Sequence, residues 1–138
     1  MSDQIDVNAI ADVLNNKMDL DMGNLPAGID YVVQSKFPTD SDPTWYRLYR
    51  SGWVEQGGVY ILPNNTATNV QITFPITMGG TNYCVTLGCG ETDNNTSAFL
   101  HYNTRSTTGM YLYINPTANG RLVGSCWEVK GMSAQGGN

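Results

Sequence analysis

The spacing of apolar residues changes once along this chain, and that change constrains the fold more than any other feature. In residues 1–22, apolar side chains recur at steps of three and four, the spacing of one face of an α-helix. From Thr44 onward they recur at every second position, the spacing of a strand with one buried face. The pattern therefore predicts a short N-terminal helix followed by a larger β domain.

The helical stripe in residues 1–22 needs a partner surface. Its apolar members are Val7, Ile10, Val13, Leu14, Met18 and Leu20. Asp3 or Asp6 can cap the start of the helix, and Gly23 is a natural stop. A helix of about 15–18 residues is only marginally stable alone in water. We expect it either to pack on its own domain or to associate with other copies as a short coiled coil, through Ile10 and Leu14.

Residues 23–131 are predicted to contain a linker and then a β-sandwich. Three prolines and a polar turn make residues 23–43 a predicted linker, with a short edge strand at 31–33. In residues 44–131, alternating segments are separated by turns rich in Gly, Asn and Thr, which number 15, 14 and 14 in the chain. This spacing predicts an antiparallel β-sandwich of about six to eight strands. Residues 132–138 are small and polar and are predicted to form a flexible tail.

Four segments show the two-residue alternation most clearly. Their apolar positions are Val70, Ile72 and Phe74, then Tyr83, Val85 and Leu87, then Met110, Leu112 and Ile114, and finally Trp127 and Val129. Polar or aromatic residues such as Gln71, Thr73, Tyr111 and Tyr113 stand between them. The apolar positions are therefore expected on the buried face of each strand.

Charge and composition argue against several kinds of partner. The formal net charge of −5 leaves no cationic excess with which to bind nucleic acid. Apolar runs are only a few residues long, so no membrane insertion is predicted, and no secretion signal is visible at the start. The 3 cysteines and 1 histidine give no zinc pattern, and no metal or cofactor is predicted. We expect the thiols to be reduced and buried, as in a protein assembled in a reducing cytoplasm.

Four short strings carry a resemblance to a known family. They are SGWVEQGG at 51–58, VQITFPI at 70–76, NYCVT at 82–86 and CWEVKG at 126–131. Together they resemble the C-terminal domain of phage tail-fibre proteins over residues 45–131, and residues 9–24 resemble the end of a fibre shaft. The domain is also similar to the H-type lectins, which are six-stranded antiparallel sandwiches that assemble as trimers. Glu128 and Lys130 depart from the pattern, because the family often has apolar or small residues there.

The resemblance implies a homotrimeric fibre tip, part of a virion and assembled in the host cytoplasm. Such a tip is expected to bind a host cell-surface receptor, most simply a glycan, without catalysis. Since three copies of an acidic chain repel acidic polymers, a neutral glycan is the easier ligand. An alternative is a structural module that trimerises or caps a fibre while another protein recognises the host. A glycan-degrading enzyme would need a second carboxylate opposite Glu55, and no spacing singles out Glu91, Asp93 or Glu128.

Two sets of residues are candidates for these roles. The ligand-binding set combines a ring for stacking with amides and charged groups for sugar hydroxyls, and consists of Asp93, Asn94, Asn95, His101, Tyr102 and Arg105. The structural or trimer-contact set consists of Ile10, Leu14, Tyr46, Trp53, Glu55 and Trp127. In the second set, Trp53 and Trp127 are expected to be core or interface anchors, and Glu55 to pair with Arg47 or Arg50 across the hairpin or a subunit boundary. The alternatives are that His101 is a hydrogen-bonded structural residue and that residues 93–96 are only a turn.

Overall fold

The computed structural model describes residues 6–10, 28–61, 67–89, 98–116 and 124–135, and the chain divides into two compact units, Met1–Asp30 and Tyr31–Asn138. In the first unit, residues 7–10 form a helical turn. The Asp6 carboxylate caps it by accepting hydrogen bonds from the N–H groups of Asn8 and Ala9, at 2.9 and 3.2 Å. Ile10 is exposed, while Leu14 and the rest of the helix predicted over 1–22 lie outside the described residues. No helix in the described ranges is long and apolar enough to cross a membrane.

The described part of the second unit contains eight β-strands. Their bounds are β1 Val32–Lys36, β2 Trp45–Tyr49, β3 Trp53–Ile61, β4 Thr68–Thr73, β5 Cys84–Cys89, β6 Ala98–Asn103, β7 Gly109–Pro116 and β8 Gly124–Met132. The predicted antiparallel β-sandwich is confirmed, with eight strands where the lectin resemblance implied six. β1 is the predicted edge strand, and it lies within residues 23–43, the segment predicted as a linker.

The strands form two antiparallel sheets. One has five strands in the order β1-β2-β3-β8-β5, and the other has three in the order β4-β7-β6. The longest pairing joins β3 to β8, from Trp53 opposite Met132 to Ile61 opposite Gly124. The string at 126–131 and most of the string at 51–58 therefore lie on two adjacent interior strands of the larger sheet.

Each sheet contributes one apolar face to a common core. Its buried members are Leu48, Val54, Ile72, Phe74, Ile76, Met78, Tyr83, Met110, Leu112, Ile114, Trp127 and Val129. The Trp127 ring packs on Phe74, with centroids 5.8 Å apart, so this tryptophan is a core anchor. Tyr46 is partly buried against the same core. Two members of the predicted trimer-contact set therefore contact the interior of their own domain.

The polar side chain of Gln56 is fully buried beside this core. Its Nε2 donates a hydrogen bond to the Ile76 carbonyl at 2.9 Å, and its Oε1 accepts one from the Ile76 N–H at 2.8 Å. Buried backbone groups outside a sheet ladder need such partners. The amide thus attaches the connection between β4 and β5 to the middle of β3.

Two local predictions differ from the structure. Cys84, Cys89 and Cys126 are free thiols and are exposed, whereas we expected them to be buried. Cys84 and Cys126 occupy the outward positions of the alternation in β5 and β8. The chain is also hydrogen-bonded beyond residue 131, since Ser133 N–H donates to the Gly52 carbonyl at 2.8 Å and Ala134 N–H to the Thr77 carbonyl at 2.9 Å. The predicted flexible tail therefore does not begin at residue 132.

Candidate functional site

The motif at residues 51–58 builds the tight hairpin between β2 and β3. Gly52 has a φ of +88°, a conformation that favours glycine, and its N–H donates to the Tyr49 carbonyl at 2.9 Å. The Ser51 hydroxyl accepts a hydrogen bond from the Trp53 N–H at 3.2 Å. Because Val54 points into the core, Trp53 points to the outer face of the five-stranded sheet, where it is 38% exposed. Trp53 is therefore a surface residue of this chain.

The glycine pair that follows allows two tryptophans to approach the backbone of β3 closely. A Cβ at Gly57 would lie 2.6 Å from the Trp127 carbonyl oxygen and 2.8 Å from Nε1 of Trp45. A Cβ at Gly58 would lie 3.0 Å from Nε1 of Trp127. A strand glycine often marks such a close approach, and here one indole lies on each side of the strand.

An apolar row crosses the outer face of the five-stranded sheet at its hairpin end. It consists of Val32, Tyr49, Trp53 and Met132. Val32 is opposite Tyr49 across β1 and β2, and Trp53 is opposite Met132 across β3 and β8. Val32, Trp53 and Met132 are exposed by 40%, 38% and 52%. A cavity of about 420 Å³ opens beside the row and is lined by Trp53, Lys130 and Met132 among others.

The next row on this face carries charges. Cross-strand pairing places Arg47 opposite Glu55, and Glu55 opposite Lys130. Nζ of Lys130 lies 2.8 Å from a carboxylate oxygen of Glu128 and 3.8 Å from one of Glu55. These neighbours, Glu128 first, raise the pKa of the Lys130 ammonium.

Within the described residues of one chain, Glu55 forms no ion pair with either expected arginine. Pairing across a subunit boundary stays a prediction. Within the described residues the ion pair of Glu55 is with Lys130, whereas Arg50 stacks on the Tyr31 ring, 5.7 Å from its centroid. Arg47 stands opposite Glu55 in the register, yet their charged groups form no ion pair in the described part of the chain. Glu55 and Glu128 share one ammonium group, so the lysine balances part of the charge of both acids on this face.

The predicted ligand-binding set is divided between two sides of the three-stranded sheet. His101 is opposite Tyr113 on the outer face of this sheet, whereas Tyr102 is opposite the buried Leu112 and therefore points the other way. Arg105 follows the end of β6, and its guanidinium lies 5.8 Å from the Tyr102 ring centroid. Residues Asp93, Asn94 and Asn95 lie outside the described residues. The structure thus separates His101 from the Tyr102 and Arg105 side chains.

Arg105 contacts Tyr83 as well as Tyr102. Its Nη1 donates to the Tyr83 carbonyl at 3.3 Å, and its guanidinium lies 5.6 Å from the Tyr83 ring centroid. The Tyr83 hydroxyl donates to the carbonyls of Ser106 and Gly109, at 3.1 and 3.2 Å. Burial is the main cause that raises the pKa of Tyr83. These contacts connect the turn after β6 to the start of β5, which gives Arg105 a structural role.

His101 belongs instead to an uncharged surface, the aromatic–amide face. This face comprises two cross-strand rows, Asn69–Tyr113–His101 and Gln71–Tyr111–Asn103. The rings of His101 and Tyr113 lie 4.7 Å apart at their centroids and are tilted by 33°. Sequence reasoning placed the residues of β4 and β7 correctly on alternate sides of their strands. It missed the face because nothing in the sequence says that β6, β7 and β4 are neighbours.

Two solved tail-fibre structures align with parts of this chain. No protein-family model matches the chain, and no curated protein matches it. An N-truncated R2-type pyocin tail fibre aligns over 95% of this chain and 53% of its own, at 14% identity and a TM-score of 0.52. A C-terminal part of the R2 pyocin fibre of P. aeruginosa aligns over 71% of this chain and 25% of its own, at 17% identity and a TM-score of 0.48. The first likeness shows a shared fold, and this chain spans about half the length of that structure.

Proposed function

We propose that this chain is the tip of a phage-like tail fibre, a homotrimer that binds a host cell-surface receptor without catalysis. The likeness of its fold to the R2-type pyocin tail fibre, over 95% of the chain, carries the proposal. The strings that resemble tail-fibre C-terminal domains support it further, because two of them lie on β3 and β8, which pair with each other in the interior of the larger sheet. In this role the chain is part of a virion fibre that is assembled in the host cytoplasm.

The apolar row supports the homotrimer. Trp53 and Met132 are directly opposite each other, and both are exposed. Adjacent exposed apolar residues are typical of a protein–protein contact, and aromatic residues and methionine are enriched in such contacts. The cavity of about 420 Å³ beside the row gives a side chain of a neighbouring copy a place to insert. We therefore place one subunit contact on this side of the five-stranded sheet, with Glu55 at its charged margin.

The solution mass tests the trimer. Multi-angle light scattering of the whole chain is expected to give three chain masses at micromolar concentration. The double variant Trp53→Ser with Met132→Ser is expected to give one chain mass, because it removes the apolar contact while leaving the core intact. Phe99→Ser is the matched control, since Phe99 is 67% exposed on the other sheet and its loss leaves the trimer unchanged. A single-chain mass for the natural sequence would contradict the trimer.

Adsorption tests receptor binding. Fluorescently labelled protein, mixed with a panel of bacterial strains, is expected to bind some strains saturably and to compete with unlabelled protein. A trimer that binds none of the strains, and that is found as a fibre component, would favour a capping or trimerising module instead. Incubation with polysaccharide from a bound strain is expected to release no new reducing ends. Their release would show that the tip is an enzyme.

A further inference from the structure

We propose that the aromatic–amide face is the receptor contact and that its ligand is a neutral glycan; this inference rests on the proposed function. The face lies on the outer side of the sheet β4-β7-β6 and is independent of the apolar row, which belongs to the other sheet. Three observations carry the proposal: the absence of charge, the alternation of rings with amides, and amides without protein partners.

The first observation is that β4, β6 and β7 contain no Asp, Glu, Lys or Arg. Their sequences are TNVQIT, AFLHYN and GMYLYINP. The outer face of the five-stranded sheet, in contrast, carries Arg47, Glu55, Glu128 and Lys130. A surface without charged groups offers an anionic ligand no ion pair, and the net charge of −5 repels such a ligand. A neutral ligand meets neither obstacle.

The second observation is the order of residues across the strands. Tyr113 has Asn69 on one side and His101 on the other, and Tyr111 has Gln71 on one side and Asn103 on the other. Neighbouring strands are about 5 Å apart, and the two rows are separated by about 7 Å, since they are two residues apart along each strand. In each row, a tyrosine ring of β7 therefore lies about one strand spacing from a hydrogen-bonding side chain on either side.

The third observation concerns the state of the amides. Asn69 and Gln71 are exposed, and their side chains form no hydrogen bond with any residue in the described ranges. Gln56, in contrast, is fully buried and uses both ends of its amide on Ile76. A carboxamide both donates and accepts hydrogen bonds, as a sugar hydroxyl does. The amides of Asn69 and Gln71 lie beside the rings of Tyr113 and Tyr111 and are available for hydrogen bonds. This arrangement matches a ligand that carries several hydroxyl groups on an apolar ring.

The aromatic rings supply the remaining part of the contact. Tyr111 and Tyr113 are half-buried, so their positions are fixed by neighbours before a ligand arrives, which lowers the entropic cost of binding. The ring of a tyrosine presents an apolar surface to the C–H side of a sugar. Its phenolic hydroxyl can form hydrogen bonds with the hydroxyl groups at the edge of the sugar. The polar groups then determine which sugar is accepted, because an unmatched buried hydroxyl is costly.

The test uses the whole chain and a panel of immobilised oligosaccharides of glucose, galactose, mannose and N-acetylglucosamine, with sialylated and uronic-acid counterparts. The natural sequence is expected to bind one or more neutral members. Tyr113→Ala and His101→Ala are each expected to weaken that binding by about tenfold or more, the effect of losing a central aromatic contact. Gln71→Glu keeps the size of the side chain but adds a charge and removes a donor, and is expected to weaken binding as well.

Matched controls separate binding from folding and assembly. Phe37→Ala removes an aromatic residue that is 74% exposed at the end of β1, away from the face, and is expected to leave glycan binding unchanged. Circular dichroism and light scattering are expected to show the same fold and mass for all variants. A fall in mass on Tyr113→Ala would instead identify the face as a subunit contact and overturn the proposal.

The remaining outcomes distinguish the site from the function. Variants that bind neutral glycans as tightly as the natural sequence would overturn the assignment of the face. Binding to acidic members alone would overturn the ligand class. If no glycan binds while labelled protein still adsorbs to cells, the inference fails and the tip function stands, with a protein as receptor. If neutral glycans bind at this face while no strain is adsorbed, the inference stands and the receptor function fails.

Discussion

On their inner faces the two sheets use the same kind of residue, with Val54 and Val129 in the five-stranded sheet and Leu112 and Ile114 in the three-stranded sheet, all fully buried. Their outer faces have little in common. The larger sheet carries the apolar row, a network of three charged groups and the Trp45 indole packed against Gly57. The smaller sheet carries the aromatic–amide face, without a charged residue in its described strands.

This difference separates the requirements of folding from those of interaction. Packing against the opposite sheet demands apolar side chains at every second position, so the inner faces converge on one pattern. Nothing in the fold demands that Gln71 and Tyr113 share an uncharged surface, or that the outward position 53 be a tryptophan. The outer faces are therefore where the two sheets differ, and in our proposals one serves association between copies and the other binds a ligand.

The largest expected effect comes from the shared core. Leu112→Ala removes a fully buried side chain at the centre of the three-stranded sheet and is expected to lower the free energy of unfolding by about 3–4 kcal/mol, through lost burial and the cavity left behind. Urea denaturation measures this loss. Gln71→Ala, on the outer side of the neighbouring strand, is the control and is expected to change stability by less than about 0.5 kcal/mol. Equal losses for the two variants would break the distinction between inner and outer faces.

A smaller loss is expected from the amide that links β3 to the connection between β4 and β5. Gln56→Leu leaves the buried N–H and C=O of Ile76 without their partners and is expected to cost about 2–3 kcal/mol. Gln71→Leu makes the same chemical change at an exposed position and is expected to be nearly neutral. Chemical denaturation of both variants checks the difference. A neutral Gln56→Leu would mean that the connection is held by its apolar residues alone.

Much of the fold followed from the period of the sequence. The alternation in β4, β5, β7 and β8 placed Ile72, Leu112 and Val129 on the buried face, where the structure has them. The thiols were misplaced because a cysteine suits either side of a strand, so its type alone does not decide its exposure. The partner of Glu55 was missed because Lys130 is 75 residues further along the chain and reaches Glu55 only when β8 pairs with β3.

The candidate site was less predictable than the fold. His101 was selected for its ring, but its companion Tyr102 is the next residue of the same strand, and adjacent residues of a strand point to opposite faces. Arg105 lies in the turn after β6, where it contacts Tyr83 and Tyr102 instead. The actual neighbour of His101, Tyr113, comes from β7, and Asn69 comes from β4. A surface made of three strands needs the strand order, which a local pattern does not contain.

The outer face of the larger sheet is expected to be sensitive to an added methyl group. Gly57→Ala brings a Cβ to 2.6 Å from the Trp127 carbonyl oxygen and 2.8 Å from the Trp45 indole. Since the carbonyl belongs to the backbone of the neighbouring central strand, relief requires the sheet to shift, and we expect a loss of about 1–2 kcal/mol. Gly80→Ala is the matched control, because a Cβ there meets nothing within 4 Å. Denaturation midpoints compare the two, and near-ultraviolet circular dichroism is expected to change only for Gly57→Ala. If Gly80→Ala lowers stability as much as Gly57→Ala does, contact with the two tryptophans is not the reason for a glycine at position 57.

The smallest expected effect is a loss of stability in acid at the β1–β2 edge of the larger sheet. The carboxylate of Asp42 accepts hydrogen bonds from Nζ of Lys36 at 2.5 Å and from the Thr44 hydroxyl at 2.7 Å, and these lower its pKa from 3.8 to about 2. Because the pKa is lower in the folded state, the contribution is present above pH 4 and is lost as the pH falls toward 2.

Asp42→Asn is therefore expected to remove part of the acid dependence of stability, and salt is expected to weaken the effect since Asp42 lies at the surface. Asp40→Asn, at an exposed position of the same turn, is expected to leave the acid dependence unchanged. Hydrogen-exchange protection factors at pH 7 and pH 2.5 locate the effect. Protection of the β1–β2 pairing is expected to fall in acid while that of β4 and β7, strands without charged residues, is retained. Equal loss in both sheets would mean that acid acts on the shared core, and that the charged and uncharged surfaces do not differ in the way described.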